Sequence, residues 1–155
     1  MATFKIRPVR PEDHAGWLPL WVGYNEFYGR HGETALPSAV TELTWNRFFD
    51  PAEPVFALVA EEKGALVGLA HYLFHRSTTK AELVCYLQDL FTAQPERGRG
   101  IGRALIEGVY ARALEAGSKR VYWQTQALNT AGRALYEKVA KHSGFIVYSR
   151  ELSDK

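Results

Sequence analysis

The sequence predicts a single domain of the α/β (α+β) class over residues 1–155, built from both strands and helices. Short apolar runs of strand length alternate with amphipathic runs of helix length. A glycine-arginine loop at residues 97–103 stands between an apolar strand and a helix, which is typical of anion sites in α/β proteins. The chain has 155 residues and 46% hydrophobic composition, so it can bury one core.

The predicted elements follow the order β-α-α-β-β-β-α-β-α-β. They are a strand at 4–7, helices within 11–28 and 39–49, strands at 55–60, 65–74 and 83–92, a helix at 102–116, a strand at 120–126, a helix at 129–141 and a strand at 144–149.

In the first half of the chain, side-chain periodicity and turn residues set the boundaries. Alternation in Phe4–Arg7 gives a strand that Pro8 stops. Aromatic and leucine side chains at helical spacing give the first helix, in which Pro19 predicts a kink or a late start. The second helix ends in the turn Asp50–Pro54. The apolar runs on either side of Glu61–Gly64 predict a hairpin, and the strand leading to the glycine loop completes an antiparallel meander.

In the second half, the helix after the glycine loop carries an apolar stripe and ends at Gly117. An apolar run after Arg120 predicts the next strand. Asn129 is a suitable N-cap for the last helix. The alternating run Gly144–Ser149 predicts a final strand.

The loop Arg97–Arg103 is a candidate phosphate site. Its glycines let the backbone approach a ligand closely, and the first N–H groups of the following helix carry the positive end of its dipole. A P-loop is excluded because no Gly-Lys is followed by Ser or Thr. The spacing Gly-x-Gly-x-Gly also fits a dinucleotide fingerprint poorly. What remains is a different pyrophosphate loop or an ordinary turn with solvated arginines.

Charge and cysteine content narrow the class of protein. A net charge of +2 is too small to argue for nucleic-acid binding. Residues 1–90 carry 11 acids and 8 bases, and residues 91–155 carry 6 acids and 11 bases. The excess of basic residues in the second half suits an anionic cofactor, and chance variation in composition is the alternative explanation. No membrane span or secretion signal is evident, so we expect a cytoplasmic protein. The single cysteine, Cys85, rules out an internal disulfide and is expected to be a small buried residue rather than a nucleophile.

Several spaced segments resemble the GNAT superfamily of N-acetyltransferases, whose pyrophosphate loop has the pattern Gln/Arg-x-x-Gly-x-Gly/Ala. The segments are Tyr86–Phe91, Arg97–Arg103, Tyr122–Thr125, Asn129–Tyr136 and Ser143–Phe145. Within the superfamily, the chain is most similar to the diamine (spermidine/spermine) acetyltransferases and to the fungal histone and polyamine acetyltransferases. The resemblance covers nearly the whole chain and implies the GNAT fold, a twisted, mostly antiparallel mixed sheet flanked by helices.

The resemblance implies acetyl-CoA as co-substrate and no metal. The strand before the loop would splay from its neighbour at a bulge and pair with the pantetheine arm through Leu90, Phe91 and Thr92. Asn129 would contact the cofactor from the start of the last helix. The pyrophosphate would lie on the loop residues Arg97, Gly98, Arg99, Gly100, Ile101, Gly102 and Arg103.

Two side chains are predicted to handle protons. Tyr136 falls where the superfamily places the tyrosine that protonates the departing thiolate, and its alternative role is core packing beside Leu135. Asp89 resembles the acidic acceptor-binding residue of the diamine enzymes and is expected to hold or deprotonate the amine. Deprotonating a lysine-like amine near pH 7 costs about 4 to 5 kcal/mol, against about 1 kcal/mol for an α-amino group. A group that takes this proton is therefore needed.

The residues expected around the acceptor leave its identity open. Gln88 stands where the diamine enzymes are typically acidic, which weakens the polyamine hypothesis. Glu26 and Tyr28 lie in the helix-loop region that commonly covers the acceptor, although a solvated helix end fits equally well. His71 and His75 are four apart on one strand, so they share a face and either can relay protons. No further metal ligands are evident near them, so a metal site is not predicted.

We therefore expect an N-acetyltransferase that works by direct transfer in a ternary complex, without a covalent enzyme intermediate. The expected acceptor is a small primary amine, namely a polyamine, a diamine or an amino acid. The alternatives are a lysine of a histone-like basic protein, and a non-catalytic acetyl-CoA-binding regulator. The resemblance further implies a homodimer or a larger homo-oligomer.

Overall fold

Five strands of the described chain form one sheet in the order β1-β2-β3-β4-β5. The computed structural model describes residues 3–153. The strands are β1 (Phe4–Pro8), β2 (Val55–Glu62), β3 (Ala65–His75), β4 (Val84–Thr92) and β5 (Val121–Tyr122). The first four strands pair antiparallel, and β5 pairs parallel with β4. The sheet is therefore mixed and mostly antiparallel, as the sequence predicts.

The helices are α1 (His14–Phe27), α2 (Ser38–Arg47), α3 (Ile101–Glu115) and α4 (Thr130–Val139). Pro19 lies inside α1, so it does not delay the start of this helix. None of the helices in residues 3–153 is both long enough and apolar enough to cross a membrane.

The chain divides into two units, one ending at Gln124 and the other starting at Thr125. The first unit holds the whole sheet and the helices α1 to α3. The second holds α4 and the C-terminal segment.

Helices pack on both faces of the sheet in the first unit. On one face, a Cβ added to Gly108 of α3 would lie 2.9 Å from Ile6, and one added to Gly68 of β3 would lie 3.0 Å from Leu105. The small glycines therefore let α3 approach the sheet closely. On the other face lies an apolar cluster of α1, α2 and β3. Its buried members are Trp17, Leu20, Trp21, Tyr24, Trp45 and Leu69.

The turn between β2 and β3 consists of Lys63 and Gly64, both with positive φ, at 51° and 81°. This is the backbone that a two-residue type I′ hairpin requires. The predicted hairpin is confirmed, with both strands longer than the sequence pattern indicated.

The predicted final strand at residues 144–149 is not present in the described chain, which has no strand after Tyr122. Its apolar side chains are exposed, with Phe145 at 82% and Tyr148 at 87%. A strand is stable only when its backbone groups pair with another strand, and a period-two pattern does not specify that partner. The strand expected at 120–126 is also shorter, since it pairs only through Val121 and Tyr122.

Candidate active site

The glycine loop before α3, called the cradle below, has the backbone geometry of an anion-binding loop. Gly98 and Gly100 have φ values of 83° and 85°, in the left-handed region that side chains with a Cβ avoid. Gly100 is the N-cap of α3, and no side chain caps this helix end in the described residues. The first N–H groups of α3 therefore remain available to a ligand, together with the positive end of the helix dipole. This geometry suits a pyrophosphate.

The arginines of the loop are engaged in different ways. Arg99 donates to Glu62 at 3.0 Å and also pairs with Glu96. Arg103 donates to Glu107 at 3.1 Å on the surface of α3. Both guanidinium charges are thus already compensated by carboxylates. The backbone N–H groups at the start of α3 are therefore positive groups of the loop that these ion pairs do not compensate.

Arg97 has a different environment. Its Nε donates to the carbonyl of Thr92 at 3.1 Å, and its Cζ lies 5.4 Å from the ring centroid of Phe91 and 6.0 Å from that of Phe27. Of the three loop arginines, it alone has no carboxylate partner among the described ion pairs. Arg97 is therefore the loop side chain best able to add positive charge to the cradle.

The C-terminal half of β4 has an open edge. Strand β5 pairs with β4 only at Cys85 and Tyr86. On the opposite side, the Ala93 N–H donates to Val67 of β3 at 2.9 Å. Because successive residues of a strand direct their backbone groups to alternate sides, those of Leu90 and Thr92 point to the open edge. A ligand with amide groups can add to β4 at this edge.

A β-bulge lies between the paired and open halves of β4. His71 of β3 is opposite Asp89, whereas the next residue, Tyr72, is opposite Leu87. Gln88 is therefore the extra residue, and its side chain is exposed. The bulge predicted from the resemblance is present, and it changes the alternation that would otherwise direct the β4 side chains.

Asp89 takes part in a hydrogen-bond chain with two buried residues. The His71 Nδ1 lies 2.9 Å from Asp89 Oδ2, and the Trp17 Nε1–H donates to His71 Nε2 at 3.0 Å. An indole N–H can only donate, so Nε2 of His71 is an acceptor and the imidazole proton is on Nδ1. His71 is thus a neutral donor to Asp89, and its side chain is 3% exposed. While the Trp17 bond is kept, a proton relay through Nε2 is excluded.

Tyr24 of α1 supplies a second contact to the Asp89 carboxylate. Burial, the negative charge of Asp89 and a hydrogen bond to it raise the pKa of Tyr24. The hydroxyl therefore stays protonated and remains a donor to Asp89. The Tyr24 ring also contacts Tyr28 at 5.0 Å and Phe91 at 6.4 Å between centroids. An aromatic wall thus borders the carboxylate.

The two residues predicted to contact the acceptor near the end of α1 have different environments. Tyr28 joins the aromatic wall through Tyr24. Glu26 is in α1, and its side chain is exposed. The sequence pattern did not indicate that Tyr24, Trp17 or Arg30 belongs to the site. The only signal for Tyr24 and Trp17 was the aromatic periodicity of α1, which also predicts a buried core, and Arg30 lies beyond that helix.

The second unit contains Asn129 and Tyr136. Asn129 is the N-cap of α4, and its Oδ1 accepts from the Gly132 N–H at 3.2 Å, while its Nδ2 donates to Thr125 at 2.9 Å. Tyr136 lies in α4 and is half-buried, as is its neighbour Leu135. The sequence-predicted cap is confirmed.

The remaining candidate side chains have structural partners. His75 contacts the Tyr122 hydroxyl at 2.7 Å and the Arg76 carbonyl at 2.8 Å. Cys85 is fully buried, and burial raises the pKa of its thiol to about 12. The thiolate needed for nucleophilic attack is therefore scarce at neutral pH. Within residues 3–153, no cluster of three or more His, Cys, Asp or Glu side chains has metal-site geometry.

Comparison with known proteins matches residues 17–140 to the Acetyltransferase (GNAT) family. A D-amino-acid N-acetyltransferase of Saccharomyces cerevisiae is 37% identical over 147 residues, covering 94% of this chain and 89% of that protein. An uncharacterised N-acetyltransferase of Bacillus subtilis is 28% identical over 145 residues, covering 92% of this chain and 94% of that protein.

Solved structures share the fold at lower identity. An integron cassette protein of V. cholerae has a TM-score of 0.81 and 20% identity, covering 99% of this chain and 95% of that chain. An aminoglycoside acetyltransferase from a soil metagenomic sample, in complex with sisomicin, has a TM-score of 0.79 and 16% identity, covering 99% of this chain and 97% of that chain.

Proposed function

This chain belongs to the GNAT family of acetyltransferases and is an N-acetyltransferase, and from that premise we propose that it acetylates the amine of a small amino acid. The single observation that carries the proposal is the Asp89 carboxylate, held by His71 and Tyr24 at a bulge beside the open edge of β4. An oriented carboxylate next to an acyl-donor site is what an incoming ammonium group requires.

Acetyl-CoA, the co-substrate of GNAT enzymes, brings an activated acetyl thioester and an anionic pyrophosphate. The cradle fits this group because Gly98 and Gly100 have positive φ and the start of α3 has no side-chain cap. Backbone N–H groups from Gly98 to Arg103 hold the pyrophosphate in our proposal, with Arg97 beside them. Leu90 and Thr92 hold the amide-containing arm at the open edge, and Asn129 contacts the cofactor from the start of α4.

In the proposed reaction, three protons are transferred and one negative charge is stabilised by groups of this chain. Asp89 orients the ammonium and takes the proton that frees the nitrogen lone pair, directly or through water. The nitrogen attacks the thioester carbon, and the backbone N–H of Leu90 stabilises the oxyanion. As the C–S bond breaks, Tyr136 donates a proton to the sulfur, and the new amide nitrogen releases its second proton to solvent. Tyr136 then regains a proton from solvent, and Asp89 releases its proton to solvent.

Two considerations favour an amino acid over the polyamine or diamine acceptor. Asp89 has neutral Gln88 beside it rather than a second acid, which leaves a polycation with one carboxylate here instead of two. The yeast relative is named for D-amino acids, which agrees with this choice.

The test is thiol release from acetyl-CoA with a panel of acceptors: D- and L-amino acids, spermidine, a short diamine, an aminoglycoside and a histone-tail peptide. We expect turnover with amino acids at the highest kcat/KM. The variant Asp89→Asn should lower kcat about 100-fold or more, and Asp50→Asn, in the turn after α2, is the matched control.

Three outcomes would contradict this proposal. Preference for spermidine would restore the polyamine acceptor, and preference for the peptide would indicate a protein lysine. No turnover with any acceptor, while acetyl-CoA still raises the melting temperature, would indicate a non-catalytic regulator.

The assembly is a separate part of the proposal. A homodimer or larger homo-oligomer agrees with the family resemblance and with the exposed apolar side chains at residues 145–148. Light scattering coupled to size exclusion measures the mass directly, and a monomer at micromolar concentration would contradict it. A cytoplasmic location stays a prediction, and fluorescence microscopy of the tagged protein tests it.

A further inference from the structure

We infer that Arg30, in the loop after α1, binds the α-carboxylate of the acceptor whose amine lies at Asp89. The inference rests on the proposed amino-acid acceptor and adds the residue that distinguishes an amino acid from a simple amine.

Arg30 is held in place by a buried neighbour. Its backbone N–H donates to the Asn25 carbonyl at 2.8 Å, and its Nε donates to Asn25 Oδ1 at 2.6 Å. Asn25 is 4% exposed, and its Nδ2 donates to the Trp21 carbonyl at 2.8 Å. A long side chain that usually samples many rotamers is therefore fixed before any ligand arrives, which lowers the entropy cost of binding.

The fixed guanidinium lies on the aromatic wall. Its Cζ is 5.9 Å from the Tyr24 ring centroid and 5.6 Å from that of Tyr28. None of the ion pairs described for residues 3–153 includes Arg30. In the side-chain hydrogen bond described for Arg30, the donor is Nε. The two Nη groups, which form the fork that suits a carboxylate, are thus left for a ligand.

Tyr24 connects this cation with the anion at Asp89. Its ring lies beneath Arg30, and its hydroxyl bonds to Asp89. Burial is the main cause that raises the pKa of Tyr24; the negative charge of Asp89 also raises it and the positive charge of Arg30 lowers it, so both charges act on the same phenol. The Asp89 carboxylate is thus near the Tyr24 hydroxyl, and the Arg30 guanidinium lies over the ring of the same residue.

A ligand that satisfies both groups has an ammonium and a carboxylate close together. An α-amino acid meets this requirement because a single carbon joins the two groups. A polyamine lacks the carboxylate and would direct its further positive charges toward Arg30, which is unfavourable where water is partly excluded. Arg30 is therefore a specificity determinant, and it takes no part in the proton transfers.

The experiment compares a D-amino acid with its carboxamide, which keeps the amine and the side chain but removes the carboxylate charge. In the wild-type enzyme, we expect kcat/KM for the amino acid to exceed that for the amide about 10-fold or more. Arg30→Gln should raise KM for the amino acid about 10- to 100-fold, the range for a lost charge-assisted hydrogen bond. The same variant should change kcat/KM for the amide by less than about 3-fold, because the amide has no carboxylate that pairs with the guanidinium.

Two further variants complete the design. Arg47→Gln, at the end of α2, is the matched control and should leave both substrates unchanged. Arg30→Lys keeps the charge but loses the fork, and should give an intermediate KM for the amino acid. The amines of the acid and the amide differ in basicity. This difference cancels when the acid-to-amide ratio of kcat/KM in a variant is compared with the same ratio in the wild-type enzyme. If Arg30→Gln does not fold, the lysine variant with the same two substrates still decides the question.

The outcomes separate the two proposals. Turnover of amino acids with equal losses for acid and amide in Arg30→Gln would make Arg30 a structural residue and overturn only this inference. No turnover of any amino acid by the wild-type enzyme, with another amine accepted, would overturn the proposed acceptor itself.

Discussion

His71 Nδ1 and Asp89 Oδ2 lie 2.9 Å apart across the β3–β4 pair, at the residue where the bulge begins. The Trp17 N–H occupies the other imidazole nitrogen, so His71 acts on Asp89 as a fixed, neutral donor. We therefore assign His71 as a positioning residue for Asp89, and the two hydrogen bonds of its ring can be removed separately.

His71→Asn keeps a donor near the position of Nδ1 and loses the acceptor for Trp17, whereas His71→Gln does the reverse. We expect the asparagine variant to keep most of kcat and to lose about 1 to 3 kcal/mol of unfolding free energy, because the buried indole N–H is left unpaired. The glutamine variant should lose kcat and keep more stability. Urea unfolding and steady-state kinetics measure both effects. A purely structural role would lower stability in both variants without this split in kcat.

Gly100→Ala should weaken acetyl-CoA binding. Its φ of 85° costs a residue with a Cβ about 1 to 2 kcal/mol, and relief of that strain would turn the loop N–H groups away from the pyrophosphate. Gly117→Ala is the matched control, because Gly117 has a φ of 83° and open space around it but lies after α3. Both variants should lose similar stability, and only Gly100→Ala should raise the KM for acetyl-CoA. Equal KM values would remove the loop from the cofactor site.

Tyr136→Phe removes the proposed acid and keeps the ring. We expect kcat to fall about 100-fold or more, because the sulfur must then leave as a thiolate. The Kd for acetyl-CoA, measured by calorimetry, should not change. Tyr148→Phe, at an exposed tyrosine, is the control. An unchanged kcat would exclude Tyr136 as the proton donor.

Cys85→Ala should keep kcat. Burial raises the pKa of this thiol to about 12, so it does not act as a nucleophile near neutral pH. Direct transfer in a ternary complex also predicts intersecting double-reciprocal plots for the two substrates. Parallel plots, or an acetylated enzyme seen by mass spectrometry before acceptor is added, would indicate a covalent intermediate.

We expect an ion-pair cluster at β1 to make the free energy of unfolding depend on pH in the acid range. Arg7, 9% exposed, donates to Asp13 at 2.7 and 2.9 Å and to Glu61 at 2.7 Å. The hydrogen bonds from Arg7 lower the pKa of Asp13 in the folded state. A carboxyl group with a lowered folded-state pKa contributes stability above its unfolded pKa of about 4, and this contribution is lost as the pH falls through the lower value.

The variant Asp13→Asn should therefore lose about 1 to 3 kcal/mol at pH 7 and show a weaker pH dependence below pH 4. Melting temperatures between pH 2 and pH 7 measure this difference. Glu12→Gln, one residue away with an exposed side chain, should follow the wild-type curve. Parallel curves for Asp13→Asn and wild type would show that the pair contributes nothing to acid stability.

Local features of the fold and the site were predictable from the sequence. The hairpin at Lys63–Gly64, the cap at Asn129 and the loop before α3 each depend on a few adjacent residues whose backbone preferences are strong. The apolar periodicity also placed the helices and the first four strands, because side-chain burial follows the repeat of each element.

Only the tertiary structure decided which side chains meet. Trp17 and His71 are 54 residues apart, and His71 and Asp89 are 18 apart, so no local pattern links them. The same aromatic spacing that predicts a buried helix gives no sign that Tyr24 bonds to Asp89 or that Arg30 lies over its ring. Pairing partners decided the ends of the strands, which is why residues 144–149 have a strand pattern without forming a strand in the described chain. The sequence determined most of the elements and the glycine loop before α3, while packing of α1 on the sheet decided the environment of Asp89, because contacts between distant residues depend on topology rather than on local preference.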